Sequence, residues 1–349
     1  MTPTAKIRRW VFPTLLALVA LGHGALRSVP SLQPSLGLAN LAVFQAGMQQ
    51  PPAGLPLRAN AVRFAIIGDS GTGDSFQSEV AQQMVEARVT FPFEFVVMLG
   101  DNIYGGHSTQ DFSLKFERPY KVLLDAGVKF YASLGNHDDP AERFYKPFNM
   151  GGQRYYAYSK GNVQFIVLDS NYMDPTQLNW LEKELQGAAS PWKIVYFHHP
   201  LYSDGRFHGP DTDLRTHIEP VFEKYGVNVV LSGHDHIYER IKPQHGIYYF
   251  VLGNSGELRY HNLKVSSEMG AGFDEDRCFM VTEIAGDELY FRTISRAGQT
   301  VDSGVIPRVA KAAGAASWPT VRAGHGGLPG RTVAKAIGVG LSRAPTATE

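Results

Sequence analysis

Five apolar segments of this sequence are each followed at once by side chains that can bind a metal ion. Residues 62–67 and 95–99 run into Gly-Asp, and residues 128–133 are followed by Leu-Gly-Asn-His-Asp. Residues 193–197 run into His-His-Pro, and residues 227–231 into Ser-Gly-His-Asp-His. Because ligands of open α/β sheets collect beyond the carboxyl ends of the strands, these five loops are expected to meet in one crevice.

Segments with helical spacing lie between several of these strands. Residues 75–88 place Phe76 and other apolar residues on one stripe, and Asp174 with Pro175 marks the start of a second helix. A third helix is expected to stop at Gly226. The last third of the chain contains only strand-like runs, at 247–252, 278–284, 288–294 and 300–306. The pattern predicts an α/β fold with mixed sheets and a β-rich C-terminal half.

The two ends differ in composition from this body. Residues 1–25 begin with basic residues, continue with an apolar run and finish with small residues, as an export signal does. The pair Arg8-Arg9 is typical of a twin-arginine signal. We interpret residues 26–60 as a linker, 61–306 as one folded domain and 307–349 as a basic, disordered tail. An exported protein, periplasmic or secreted, is expected, with no stable membrane span unless the signal stays uncleaved.

Charge and cysteine content exclude several classes of protein. The 33 basic residues equal the 33 acidic ones, and this balance argues against a dedicated nucleic-acid-binding domain. Both ends are basic, so the body between them is acidic. The single cysteine, Cys278, allows neither an internal disulfide nor a thiolate zinc cage. Any metal must therefore be held by His, Asp, Asn or Tyr.

The five loops together resemble a known family. In order, they match the signature blocks of purple acid phosphatases, which belong to the calcineurin-like metallophosphoesterases and share an α/β/β/α sandwich. The matching blocks are Asp69-Ser70-Gly71, Gly100-Asp101-Asn102-Ile103-Tyr104, Gly135-Asn136-His137-Asp138, Val195-Tyr196-Phe197-His198 and Gly233-His234-Asp235-His236. The chain is similar to the small, single-domain branch that includes the tartrate-resistant enzymes.

The resemblance implies two metal ions. Asp69, Tyr104 and His236 would hold one ion, and Asn136, His198 and His234 the other, with Asp101 bridging them. A phenolate with carboxylates suits Fe(III), whereas imidazoles with an amide suit a divalent ion such as Fe, Zn or Mn.

The resemblance also implies the reaction. A metal-activated hydroxide would attack the phosphorus of a phosphate monoester, and a histidine would protonate the leaving group. His137 and His208 are the catalytic residues that the resemblance supports. The role of His199 stays open: it could be a further proton donor, a residue that supports a metal ligand, or a packing histidine. Asp138 is expected either to orient His137 or to cap a turn, and Asp235 to point away from the metals.

The activity expected is that of an acid phosphatase acting on small phosphate esters. Two alternatives stay open: a phosphodiesterase or nucleotidase with the same metals, and a non-catalytic metal- or phosphate-binding protein. Residues 253–277 are too long for a plain hairpin, and they are interpreted either as an overhang that influences substrate choice or as a surface loop. The sequence gives no indication of the oligomeric state.

Overall fold

A computed structural model describes residues 55–308 of the chain. The predicted export signal, most of the predicted linker and nearly all of the predicted tail lie outside the described residues. Within the described part, no helix is both long and apolar enough to cross a bilayer. The end of the predicted linker contacts the folded domain: the backbone N–H groups of Leu57 and Arg58 donate to the buried carboxylate of Glu283, at 2.9 and 2.5 Å.

Within residues 55–308, thirteen strands form two mixed sheets. The first sheet has six strands in the order β13-β12-β11-β1-β2-β3, and the second has seven in the order β10-β8-β9-β7-β6-β5-β4. The strands are β1 Val62–Ile67, β2 Phe95–Met98, β3 Lys129–Ala132, β4 Tyr156–Lys160, β5 Val163–Val167, β6 Trp192–Tyr196, β7 Val229–Ser232, β8 Tyr238–Gln244, β9 Ile247–Leu252, β10 Met269–Phe273, β11 Cys278–Ala285, β12 Glu288–Ser295 and β13 Thr300–Pro307. Strands β1 to β3 run parallel, as do β5, β6, β7 and β9, and the other pairings are antiparallel.

Helices cover the outer face of each sheet. They are α1 Ser75–Thr90, α2 Thr109–Phe112, α3 Lys121–Asp125, α4 Pro175–Gly187 and α5 Thr212–Tyr225, with a π-helical turn at Ser113–Glu117 and 3₁₀ turns at Pro140–Phe144 and Lys146–Phe148. Helix α4 begins where the sequence predicted, because Asp174 accepts a bond from the backbone of Gln177 and Pro175 is the first helical residue. Helix α5 ends at Gly226, which adopts φ 68°.

Strand β1 shows how the layers arise. Phe64 and Ile66 point into a core between the two sheets, whereas Ala65 and Ile67 point to a second core beneath the helices. Successive side chains of a strand face opposite sides, so a strand buried on both faces reads as a continuous apolar run. A third core lies between the second sheet and helices α4 and α5. The predicted α/β/β/α sandwich with mixed sheets is confirmed.

Some elements differ from the prediction. Phe76 is 38% exposed and packs against the guanidinium of Arg277 rather than in the core. Strands β4, β8 and β10 have no sufficiently apolar pattern to predict them. In β8 the buried charge of Arg240 is neutralised by Asp302, 2.7 Å away in β13. This long-range partner lets a charged segment occupy the interior.

Candidate metal centre

The loops after β1, β2 and β7 place their ligand residues by an unusual backbone conformation. Asp69, Asp101 and His234 all adopt positive φ angles, of 51°, 50° and 69°. Non-glycine residues rarely occupy this region, and such strain concentrates at functional sites. Close packing of the loops requires glycine beside them: a Cβ at Gly135 would lie 2.1 Å from Asp101 Oδ1, and one at Gly233 would lie 2.3 Å from Asp69 Oδ2.

One group of predicted ligands surrounds Asp69. The Tyr104 hydroxyl lies 3.3 Å from Asp69 Oδ1 and 3.3 Å from His236 Nε2, and His236 Nε2 lies 3.4 Å from Asp69 Oδ1. Asp69 is fully buried, and the backbone N–H of His234 donates to both of its oxygens. Three elements that are far apart in the sequence therefore present a carboxylate, a phenol and an imidazole to one point.

A second group surrounds His198, at the end of β6. His198 Nε2 lies 2.9 Å from Asn136 Oδ1 and 3.1 Å from His234 Nδ1. The other ring nitrogen, Nδ1, lies 3.0 Å from the carbonyl of Leu99 and must donate its proton there. With this tautomer Nε2 carries a lone pair that faces the amide oxygen of Asn136, so two acceptors meet at hydrogen-bond distance without a proton between them.

Asp101 stands between the two groups. Its carboxylate shares a cluster with Asp69 and His236, in which the ligand atoms lie within 4.8 Å of one another. It also lies 3.5 Å from His198 Nε2. Asp101 therefore lies close to residues of both groups.

These arrangements fit two metal ions. Ligand atoms about 2.0–2.2 Å from one ion lie about 3.0–3.5 Å from each other, so the separations within both groups correspond to ligands of a shared cation. A cation between His198 Nε2 and Asn136 Oδ1 also resolves the contact of two acceptors. By these separations, the residues present fit both ions.

The electrostatics of the protein alone also call for positive charge at the site. Burial raises the pKa of Asp69, and the neighbouring Asp101 carboxylate raises it further. Burial raises the pKa of Asp101 as well. Burial together with the neighbouring imidazole of His198 lowers the pKa of His234 to about 2, so this ring is neutral and free to bind a metal. Bound cations would offset the cost of burying the two carboxylates.

Three further histidines line the site, and one of them, His199, has a ring nitrogen within 4.8 Å of ring nitrogens of His198 and His234. The His137 ring lies 4.9 Å from the Tyr104 ring, and its backbone N–H donates to Asp101 at 2.9 Å. The exposed His208 ring lies 4.1 Å from the ring of His234. His199 is held by Ser170, whose hydroxyl lies 2.9 Å from its Nδ1 and accepts its backbone N–H. His137 and His208 are therefore placed to reach a substrate.

Asp138 does not orient His137. Its carboxylate accepts bonds from the backbone N–H groups of Asn102 and Ile103, from the Asn102 side-chain amide and from the Gly135 N–H, at 2.7–3.0 Å. Asp138 therefore ties the loop of Asp101 to the loop of Asn136. The sequence shows its position beside the ligands, but only the fold shows that Asn102 and Ile103, 36 and 35 residues away, donate to its carboxylate.

Asp235 points away from the metal ligands, as predicted, and supports the segment that carries His208. Its Oδ2 accepts the Ser203 hydroxyl at 2.5 Å and the Gly209 N–H at 3.1 Å. A Cβ at Gly205 would lie 2.5 Å from this carboxylate. This positioning role is one that the sequence analysis missed.

The segment 253–277 lies directly against the site. Its backbone donates from Glu257 to the carbonyl of Asp69 and from Arg259 to the carbonyl of His236, both at 3.0 Å. A bridge between Gly205 and Leu263 joins it to the segment that carries His208. Cys278, which follows, is fully buried and remote from these ligands, and burial raises the pKa of its thiol.

A four-layer sandwich with carboxylate, imidazole, amide and phenol ligands at the strand ends defines a class of metal-dependent hydrolases. Comparison with known families narrows this class. The chain belongs to the calcineurin-like phosphoesterase family, whose model matches residues 62–238.

Curated relatives are named as acid phosphatases. Tartrate-resistant acid phosphatase type 5 of Rattus norvegicus is 24% identical over 301 residues, which span 72% of this chain and 91% of the relative. Purple acid phosphatase 17 of Arabidopsis thaliana is 26% identical over 232 residues, 56% of this chain and 68% of the relative. The resemblance to purple acid phosphatases that the five sequence blocks indicated is confirmed.

Solved structures share the fold. GAP50, described as the anchor in the inner membrane complex of Plasmodium, superposes with a TM-score of 0.62 at 19% identity, covering 72% of this chain and 90% of GAP50. A purple acid phosphatase from yellow lupin seeds gives 0.61 at 18% identity, covering 71% of this chain and 54% of that structure. Family and site together establish an enzyme that hydrolyses phosphoesters at a dinuclear metal centre.

Proposed function

We propose that this protein hydrolyses phosphate monoesters with an Fe(III) ion and a divalent ion, as an acid phosphatase. In this proposal Asp69, Tyr104 and His236 bind the ferric ion and Asp101 bridges. The divalent ion, Fe, Zn or Mn, is bound by Asn136, His198 and His234. His137 and His208 are proposed as the catalytic residues.

The observation that carries this proposal is the position of the Tyr104 hydroxyl, 3.3 Å from both Asp69 Oδ1 and His236 Nε2. Burial and the charges of Asp69 and Asp101 raise the pKa of Tyr104 far above its ordinary value. At neutral pH the Tyr104 hydroxyl would lose its proton only when bound to a strongly charged cation. A phenolate with carboxylates is a hard, anionic ligand set that suits a trivalent iron.

When bound, the two ions supply positive charge against the phosphate oxygens and lower the pKa of the water that attacks phosphorus. The chain itself supplies the proton for the leaving alcohol. His208 is exposed at the rim and lies beside His234, so its ring can reach the leaving oxygen. His137 is exposed on the opposite, Tyr104 side and can bind the phosphate or share the protonation.

A polar cavity of about 430 Å³ opens beside Asn136 and His199. It is lined by Asp169, Ser170 and Tyr172 among others. A cavity of this size leaves room for an organic group next to the proposed divalent site. It is the feature that keeps phosphodiester or nucleotide hydrolysis as a second candidate function.

The test combines metal analysis, a visible absorption spectrum and a panel of monoesters and diesters on the purified protein. We expect iron, a visible band from the tyrosinate, and faster turnover of monoesters. Tyr104→Phe should abolish the band, whereas Tyr145→Phe should leave it unchanged, because the Tyr145 hydroxyl bonds Glu117 away from the site. A colourless, iron-free protein that is active would refute the ferric assignment, and a preference for diesters would favour the second function.

A non-catalytic protein of this fold would give no turnover with any substrate when fully loaded with metal. GAP50 is described as an anchor, so the shared fold does not by itself exclude this alternative. Turnover by the loaded protein, lost in Asp101→Ala, would exclude it.

The proposal extends to location and domain bounds. We infer export, periplasmic or secreted, with removal of residues 1–25, and a catalytic domain at 61–306 between a linker and a basic tail. The basic, apolar and small-residue regions of the N-terminus support this. Mass spectrometry of the exported protein checks it, and retention of residues 1–25 on a protein in the cytoplasm would refute it.

A further inference from the structure

One basic residue at the rim of the site has no role in the chemistry described above. Arg259 lies in the segment 253–277, and its backbone N–H donates to the carbonyl of the metal-ligand candidate His236 at 3.0 Å. Its guanidinium lies 3.5 Å from the ring centroid of Phe207. Phe207 is 62% exposed and packs against the ring of His208 at 4.6 Å. The stacking therefore holds a positive charge next to the proposed proton donor.

The charge of Arg259 is not neutralised by the protein. Among residues 55–308 no carboxylate lies within ion-pair distance of its guanidinium, and its buried Nε has no hydrogen-bond partner. By contrast, Arg240 is paired with Asp302 and Arg296 with Asp276, although among the described residues Arg292 also lacks a carboxylate partner. A guanidinium that is stacked but unpaired keeps its bidentate donors free for a ligand.

The surrounding charges restrict where a ligand can sit. Burial lowers the pKa of His208 and of His236. The charge of Arg259 acts in the same direction on both rings, whereas Asp235 opposes it at His208 and Glu257 opposes it at His236. The Glu257 carboxylate also contributes to the raised pKa of Tyr104. An anionic group is repelled by Glu257 and attracted by the guanidinium of Arg259, which is stacked on Phe207 beside His208.

We propose that Arg259, held by Phe207, selects phosphomonoesters whose alcohol carries a second anionic group, a carboxylate or a phosphate. This inference rests on the proposed function, in which His208 protonates the leaving oxygen, so that oxygen lies beside the His208 ring. The substituent of that alcohol then extends toward Phe207 and Arg259. The stacked guanidinium makes a charge-assisted hydrogen bond to it, a contact that a neutral alcohol does not make.

The test measures binding, so that it does not depend on turnover. Titration calorimetry of the metal-loaded protein compares benzylphosphonate with 4-carboxybenzylphosphonate, which differ only in the carboxylate. We expect the wild type to bind the carboxylated ligand about tenfold more tightly, or about 1.4 kcal/mol. Arg259→Gln should reduce this preference to less than twofold and change the affinity for benzylphosphonate little.

A matched control removes a charge from the same rim. Arg206 precedes Phe207, but its guanidinium donates to the carbonyl of Leu263. Arg206→Gln should therefore keep the preference. Phe207→Leu removes the stacking but not the charge, and it should lower the preference at least threefold. If Arg259→Gln does not fold, the result for Phe207→Leu tests the inference instead. The inference is refuted if the wild type shows no preference, or if neither Arg259→Gln nor Phe207→Leu reduces it.

Turnover of phenyl phosphate and 4-carboxyphenyl phosphate separates this inference from the proposed function. If wild-type protein releases phosphate from neither ester while the binding preference and its loss in Arg259→Gln persist, the proposed monoesterase fails and the anion site stands. If both esters are hydrolysed at equal efficiency and binding shows no preference, the anion site fails and the monoesterase stands.

Discussion

Asp138 offers a quantitative test of how the loops of the metal centre are held. The side chain is only 9% exposed, and its two oxygens accept four hydrogen bonds at 2.7–3.0 Å from the loops of Asp101 and Asn136. Burial and the charge of Asp101 raise the pKa of Asp138 to about 8 in the protein without metal. With this pKa the carboxyl group is mostly neutral at pH 7. Each of its hydrogen bonds therefore has the strength of a bond between neutral groups, which is smaller than that of a bond to a charged acceptor.

Asp138→Ala removes this acceptor and its four hydrogen bonds. The backbone N–H groups of Asn102, Ile103 and Gly135 lose the carboxylate, whereas the Asn102 amide keeps its bond to the Ser133 carbonyl. At about 1 kcal/mol net for each bond, the free energy of unfolding should fall by about 4 kcal/mol. In a domain of this size, this corresponds to a decrease of about 8–16 °C in Tm. Because the loops hold two proposed ligands, metal affinity should also fall by about 10–100-fold.

Differential scanning calorimetry and competition with a chelator measure the two effects. Asp139→Ala is the matched control, since the neighbouring side chain is exposed and only caps the 3₁₀ turn at Pro140–Phe144, accepting the Ala141 N–H at 2.7 Å within a capping box with Glu142. This control should lower Tm by less than about 4 °C. Asp138→Asn, which keeps the shape but turns two acceptor positions into donors, should lie between them. A Tm of Asp138→Ala equal to that of Asp139→Ala would refute the reasoning.

Three further predictions concern catalysis and pH. Asp101→Ala should abolish both metal binding and turnover, and substantial activity with both metals retained would contradict the bridging position. His208→Ala should lower kcat by about 10²–10⁴ with alkyl phosphates but less with p-nitrophenyl phosphate, which needs less protonation; equal losses in steady-state assays would argue against a general acid. Glu239 is fully buried, and burial raises its pKa from 4.5 to about 9. The unfolded chain then binds fewer protons than the folded one, so stability should fall as the pH rises from about 5 to about 9. Thermal melts of Glu239→Gln at matched metal loading should show a weaker decline across this window, and parallel curves would refute the assignment.

Local pattern was sufficient to predict most strands and the types of ligand at their ends. Strands β1 and β9 have the predicted limits, since each is a short apolar run bounded by turn residues. The charged segment that forms β8 was missed because its place in the sheet depends on Asp302, more than 60 residues away. Local propensity carries no information about such a partner.

The sequence by itself determined which side chains are available for the site, and that they follow buried strands. A parallel sheet brings its strand ends to one edge, so the proximity of Asp69 and Asp101, which follow β1 and β2, was expected from order and type alone. His198 follows β6 of the second sheet, and the packing of the two sheets brings it to them. Only the tertiary structure decided what surrounds them. Asp138 ties two loops instead of orienting His137, and Arg259 stacks on Phe207 without a counter-charge. These roles depend on contacts between distant segments, whose distances and burial set the energies, and neither quantity is encoded in local spacing.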